Sequence, residues 1–116
     1  MKILLADDSP DTLASLTQYL TMRGHAVTEA ANGAEALKAL RHQPYDAMIT
    51  DLVMPQVNGV ELVEQAREMG RLPPTMMLTG KDPEWASIVG VIKVLEKPAD
   101  PEEIERELVK MVHAEA

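Results

Sequence analysis

Short apolar runs alternate along this chain with stretches whose apolar residues recur every three or four positions. Lys2–Ala6 reads as a buried strand. Ser9 then caps a helix with Pro10 at its first position, where a missing N–H costs nothing. Leu13, Leu16 and Leu20 form its buried stripe and Gly24 its stop. Ala26–Ala30 is a second, weaker strand. Asn32 to Glu35 resembles a capping box for a helix running to about Arg41, with Ala36, Leu37 and Leu40 inward. Ala47–Thr50 is a third strand with Asp51 at its carboxyl end. Pro55 forbids regular helix just beyond, and Gly59 opens a helix whose apolar face is Leu62, Val63, Ala66 and Met69. After Pro73-Pro74, Thr75–Leu78 is a fourth strand ending at Thr79-Gly80. Asp82-Pro83 begins a short helix that Gly90 ends, so the fourth helix is shortened. Val91–Leu95 is a fifth strand closing at Lys97-Pro98. Asp100-Pro101-Glu102-Glu103 starts a last helix with Ile104, Leu108, Met111 and Val112 on its inner face.

Five strands alternating with five helices predict an α/β fold, a parallel sheet covered on both faces. Right-handed crossovers favour the doubly wound order 2-1-3-4-5, with residues 1–116 forming one domain. In such a sheet, ligands bind outside the carboxyl ends of the strands, at the switch point between strands one and three. Asp7 and Asp8 follow strand one, Asp51 ends strand three, Thr79 ends strand four and Lys97 ends strand five. Five polar residues far apart in sequence are expected at one rim.

Composition narrows the chemistry. Hydrophobic residues make up 46% of the chain, enough for a core. There is no cysteine, hence no disulfide, thiolate nucleophile or cysteine-type zinc site. No apolar run reaches membrane-spanning length, and Lys2 to Ala6 is too short and too soon followed by Asp7-Asp8 for a signal peptide. The expected location is the cytoplasm, with no membrane contact. The net charge of −8 disfavours direct nucleic-acid binding. The three histidines, His25, His42 and His113, are scattered and read as structural or exposed, and the eight methionines as gap fillers of the core. Trp85 has two readings, core packing or an anchor for a partner.

Three carboxylates at one rim repel each other, at a cost of roughly 3 kcal/mol per pair at about 5 Å and an effective dielectric near 20. Such a site retains a proton or binds a cation. All-oxygen ligands favour a hard ion, Mg²⁺ first and Mn²⁺ second. Lys97 supplies a mobile positive charge and Thr79 a hydroxyl donor. With the metal they can hold the oxygens of a phosphoryl group, and Asp51 at the centre of that cradle is placed to act as the nucleophile. Taken singly, each feature has a blander reading. Asp7-Asp8 is a solvated turn, Asp51 a residue before the Met54-Pro55 turn, Thr79-Gly80 a strand-ending turn and Lys97-Pro98 an exposed lysine before a helix. Their coincidence after the core strands of one sheet carries the functional reading.

Ile3-Leu4-Leu5-Ala6-Asp7-Asp8, Asp51-Leu52-Val53-Met54-Pro55 with Asn58-Gly59, Thr79-Gly80 and Lys97-Pro98 together resemble the receiver domain of two-component response regulators, over essentially the whole chain. The resemblance implies a flavodoxin-like, chemotaxis-regulator-like fold and a phosphorylation-dependent switch rather than an enzyme. It makes Asp51 the phosphoacceptor, Asp8 a direct metal ligand, Asp7 a ligand mainly through water and the Val53 carbonyl the last protein ligand. Thr79 and Lys97 would bind the phosphoryl group. The donor would be a sensor histidine kinase or a histidine phosphotransfer protein. The output would be a partner protein or effector domain, reached through the fourth-helix and fifth-strand face. The family often carries an aromatic residue three positions before the lysine, where this chain has Val94. It tunes phosphoryl lifetime at the positions of Val53 and Lys81, and an apolar Val53 is expected to impede an attacking water. Three other readings compete: a receiver-like interaction module that is not phosphorylated, an aspartyl phosphatase and an FMN carrier. Val53 stands where the phosphatase needs a second acid. Asp7-Asp8 would repel the FMN phosphate.

Overall fold

The computed structural model describes residues 1–80 and 93–115. Its elements are β1 (Lys2–Ala6), α1 (Pro10–Met22), β2 (Ala26–Ala30), α2 (Gly33–His42), β3 (Ala47–Asp51), α3 (Gly59–Glu68), β4 (Thr75–Thr79), β5 (Lys93–Glu96) and α4 (Pro101–Glu115). All five strands pair in parallel in the order β2-β1-β3-β4-β5, the doubly wound arrangement expected. The shortened helix predicted from Asp82, Trp85 within it and the first residues of the predicted fifth strand lie outside the described residues. Among the described residues no helix is long and apolar enough to cross a membrane.

Strand side chains alternate between two cores, one on each face of the sheet. Leu4, Ala6, Met48 and Met77 point toward α2 and α3, where they meet Leu37, Leu40, Leu62 and Val63. Ile3, Leu5, Ile49, Met76 and Leu78 point toward α1 and α4, where they meet Leu16, Leu20, Ile104 and Leu108. In the absence of phenylalanine, methionines at 48, 54, 76, 77 and 111 fill much of this buried volume.

The helix starts follow from their caps. Ser9 Oγ accepts the Thr12 N–H, and Asn32 Oδ1 accepts the Glu35 N–H at 2.9 Å. The box at α2 is a variant, in that Glu35 reaches back to the N–H of Ala31 rather than of Asn32. A full capping box sits at α3, where Asn58 and Glu61 bond each other's backbone N–H. The Asn58-x-x-Glu61 spacing that signals it is plain in the sequence. Beyond Ile104, Leu108 and Met111, Val112 is half-buried, as is Met69 just past α3.

Candidate functional site

The sheet register builds the site. Ala6 pairs with Thr50, so Asp7, the residue just after β1, arrives beside Asp51. Asp51 in turn pairs with Leu78, and Thr79 with Glu96, which places Thr79 and Lys97 along the same rim. The Lys97 N–H donates to the Thr79 carbonyl at 2.7 Å, fixing the two to each other.

Asp7 and Asp51 are buried, at 1% and 8% exposure, while Asp8 faces solvent. One carboxylate oxygen from each of Asp7, Asp8 and Asp51 lies within 4.8 Å of the other two. Asp7 is held at both ends. Its Oδ1 accepts the Ser9 N–H at 2.9 Å, so the turn that caps α1 also aims the carboxylate. Its Oδ2 lies 3.5 Å from Lys97 Nζ. Asp51 Oδ1 accepts the Leu52 N–H at 2.8 Å, and its Oδ2 pairs with Lys97 Nζ at 3.0 Å. Thr79 is buried at 4% exposure. Val53 is 72% exposed on the β3–α3 loop, and Val94 is half-buried against the core face of α2 and α3.

Electrostatics follow from this packing. Burial pushes the Asp51 carboxyl above its usual value, and the like charge of Asp7 adds to the rise, against the opposing hydrogen bond from Lys97. Burial alone would lower the Lys97 ammonium, but its bonds to Asp51 and Asp7 outweigh that and raise it. Among the described residues one lysine, Lys97, pairs with Asp7 and Asp51, and three carboxylates against it leave the cluster short of positive charge. An all-oxygen set this close together is the donor chemistry of a hard divalent cation.

The structure brings together the side chains of Asp7, Asp8, Asp51 and Lys97, and the sheet register sets Thr79 at the same rim. The backbone donors Ser9 and Leu52 were not foreseen. The Asp-x-Ser spacing of an Asx turn was the available signal for the first. The histidines stay out of the site. His25 bonds Glu105 at 2.9 Å and His42 bonds the Lys38 carbonyl, both as structural contacts.

A sequence model of the response regulator receiver domain matches residues 3–109. The chain belongs to this family. Among characterised proteins, this receiver domain is 34% identical to the response regulator receiver protein CpdR of Brucella abortus, over 97% of its own length and 98% of that protein's. It spans only 45% of a longer relative, the alkaline phosphatase synthesis transcriptional regulatory protein PhoP of Bacillus subtilis, at 33% identity. The chemotaxis response regulator CheY4 of Vibrio cholerae superposes with a TM-score of 0.89 at 30% identity, covering 95% of this chain and 97% of that one. The receiver domain of the sensor histidine kinase PA1611 from Pseudomonas aeruginosa superposes with a TM-score of 0.86 at 28% identity, covering 97% of each chain. That structure holds a magnesium ion in its active-site cleft. As a receiver domain, the present chain is a signalling module rather than an enzyme, and Asp7, Asp8 and Asp51 form an acidic pocket with the donor set of a divalent metal site.

Proposed function

We propose that residues 1–116 act as one phosphorylation-dependent switch in which Asp51 takes a phosphoryl group from a phosphohistidine on a sensor histidine kinase or phosphotransfer protein. The observation that carries this reading is Asp51 itself: a buried carboxylate at the centre of the rim, flanked by Asp7 and Asp8 and paired with Lys97 at 3.0 Å. Asp8, Asp51 and the Val53 carbonyl would hold the ion directly, with Asp7 acting mainly through water. Mg²⁺ is preferred and Mn²⁺ is the second choice. The bound ion supplies charge neutralisation at the transferring oxygens.

In the transfer, the phosphorus–nitrogen bond of the donor breaks as an Asp51 oxygen bonds phosphorus, giving an acyl phosphate. Lys97, already bonded to Asp51, shifts its donors to the incoming phosphoryl oxygens, and the Thr79 hydroxyl donates to another. The Leu52 N–H keeps the Asp51 carboxylate oriented throughout. The altered charge then changes binding of an output protein or effector domain through the β5 face and the segment preceding it.

The test is mass spectrometry after incubation with Mg²⁺ and a small acyl phosphate. The expected result is a gain of one phosphoryl group that is abolished in Asp51→Ala. No gain with any donor, or a gain that persists in Asp51→Ala, would overturn the assignment.

A further inference from the structure

The loop Leu52–Asn58, which carries Val53, begins one residue after Asp51, and its seat meets a glycine distant in sequence. Gly33 is the first residue of α2 and is buried. A Cβ placed there would lie 2.7 Å from Val57 Cβ and 2.8 Å from Val57 Cγ1, and closer still to the Val57 carbonyl oxygen. Gly33 is not among the positive-φ glycines, so its backbone would accept any residue. Alanine in a helix is favoured over glycine by about 1 kcal/mol in general. Space, not conformation, therefore demands glycine at this position.

The rest of the loop has little freedom to absorb a push at Val57. The Gly59 N–H closes it onto the Leu52 carbonyl at 2.8 Å, and the Val57 N–H bonds the Pro55 carbonyl at 2.8 Å. Met54 is buried in the core, and Gln56 is held at φ 67°, a left-handed conformation costly for a side-chain-bearing residue. Just beyond the loop, Gly59 is itself wedged against the Asp51 carbonyl. A retreat of Val57 must therefore pass back into residues 53–56.

We propose that Gly33 is a positioning residue for the metal site: its missing side chain lets the Val57 backbone seat against α2, and this seat holds the Val53 carbonyl in place as a ligand. The inference rests on the metal-site reading above. Carbons in ordinary contact stay beyond 3.4 Å, so an alanine at 33 must push Val57 back by roughly half an ångström or more. Mg²⁺ tolerates little departure from octahedral geometry at short bond lengths. Supporting groups of this kind change metal affinity by about tenfold or more.

The test is calorimetric titration of MgCl₂ into the wild-type chain, Gly33→Ala and Met111→Ala. Met111 is buried on the opposite face of the sheet, so its variant controls for lost stability alone. The expected result is Mg²⁺ binding about tenfold weaker in Gly33→Ala and unchanged in Met111→Ala. Equal affinity in Gly33→Ala, or the same weakening in Met111→Ala, would overturn the proposal. If Gly33→Ala does not fold, Val57→Ile presses on the same contact with one added methyl, and unaltered Mg²⁺ affinity there overturns it equally. A wild-type chain that binds no Mg²⁺ would sink the site reading and this inference together, whereas wild-type binding with an indifferent Gly33→Ala sinks this inference only.

Discussion

Replacing Asp51 by asparagine removes one negative charge from the acidic pocket while leaving an oxygen to accept the Leu52 N–H. Asp51 sits with Asp7 and Asp8 at oxygen separations within 4.8 Å, worth about 3.5 kcal/mol of repulsion per pair at an effective dielectric near 20 when no cation is bound. Against this stands one attraction to Lys97 at 3.0 Å, about 5.5 kcal/mol on the same scale. Solvent around the exposed Asp8 and the one-third-exposed Lys97 trims both sides, and the burial of Asp51 adds to the unfavourable side. The net penalty of the charged form is of order 1–2 kcal/mol. The raised Asp51 carboxyl agrees in sign. Its folded value lies above the ordinary 3.8, so the folded chain holds that proton more tightly, and stability falls as pH rises between the two values. Asp51→Asn should therefore raise the melting temperature in EDTA at neutral pH by roughly 5–10 °C. Adding Mg²⁺ at about a hundred times its dissociation constant should stabilise the wild type by about 2.7 kcal/mol and the variant far less. Thermal denaturation with and without Mg²⁺ reads both effects. A variant that melts at or below the wild-type temperature in EDTA would refute the charge argument.

Other perturbations probe different parts of the fold. Gly59→Ala drives a Cβ into the Asp51 carbonyl and to 3.0 Å from Leu52 Cα, so urea unfolding should show a loss of about 1–3 kcal/mol despite the better helix former. Glu105 accepts from Arg23 at 3.0 Å and His25 at 2.9 Å. Burial alone would raise its carboxyl, but these bonds win and hold it below 4.5. Its contribution is therefore fully present above that value and lost as pH falls through the folded one, so the stability gap between wild type and Glu105→Gln should close on acidification, as urea midpoints from roughly pH 6 to 3 would show. Val53→Asn puts an amide able to orient water at an exposed position two residues after Asp51. A dephosphorylation time course should run severalfold faster in that variant, and an equal or slower rate would remove Val53 from the control of phosphoryl lifetime.

Much of this was legible in the chain because local signals and tertiary packing agree. Lys2–Ala6 and Ala26–Ala30 were read to the residue, and Ser9-Pro10 and Asn32 set the starts of α1 and α2 as caps should. The strand-end positions of Asp7, Asp51, Thr79 and Lys97 followed from the predicted sheet order alone. The third and fourth strands each run one residue further than their apolar runs, because Asp51 and Thr79 still pair across the sheet with Leu78 and Glu96. The seat of Val57 on Gly33 could not be read, since the two residues are 24 positions apart and nothing local betrays the approach. Nor does sequence spacing indicate that Lys97 Nζ reaches both Asp51 and Asp7, which depends on the register of β1 with β3 and of β4 with β5.

That shared lysine decides what kind of switch the pocket can be. Among the described residues, Asp7, Asp8 and Asp51 bring three negative charges and Lys97 one positive, a deficit of two that one divalent ion cancels. Converting the Asp51 carboxylate to an acyl phosphate replaces one negative charge by about two, so the metal-bound pocket would pass from near neutral to negative. The same ammonium lies 3.0 Å from Asp51 and 3.5 Å from Asp7, the oxygens a cation would also approach. Lys97, the one cation paired with these carboxylates among the described residues, must then follow the new charge, and it sits at the end of β5, one residue from the face proposed to meet the output partner. Because the Lys97 N–H is bonded to the Thr79 carbonyl, the two residues proposed to bind the phosphoryl group are mechanically joined, and a shift of either is felt at the ends of both β4 and β5.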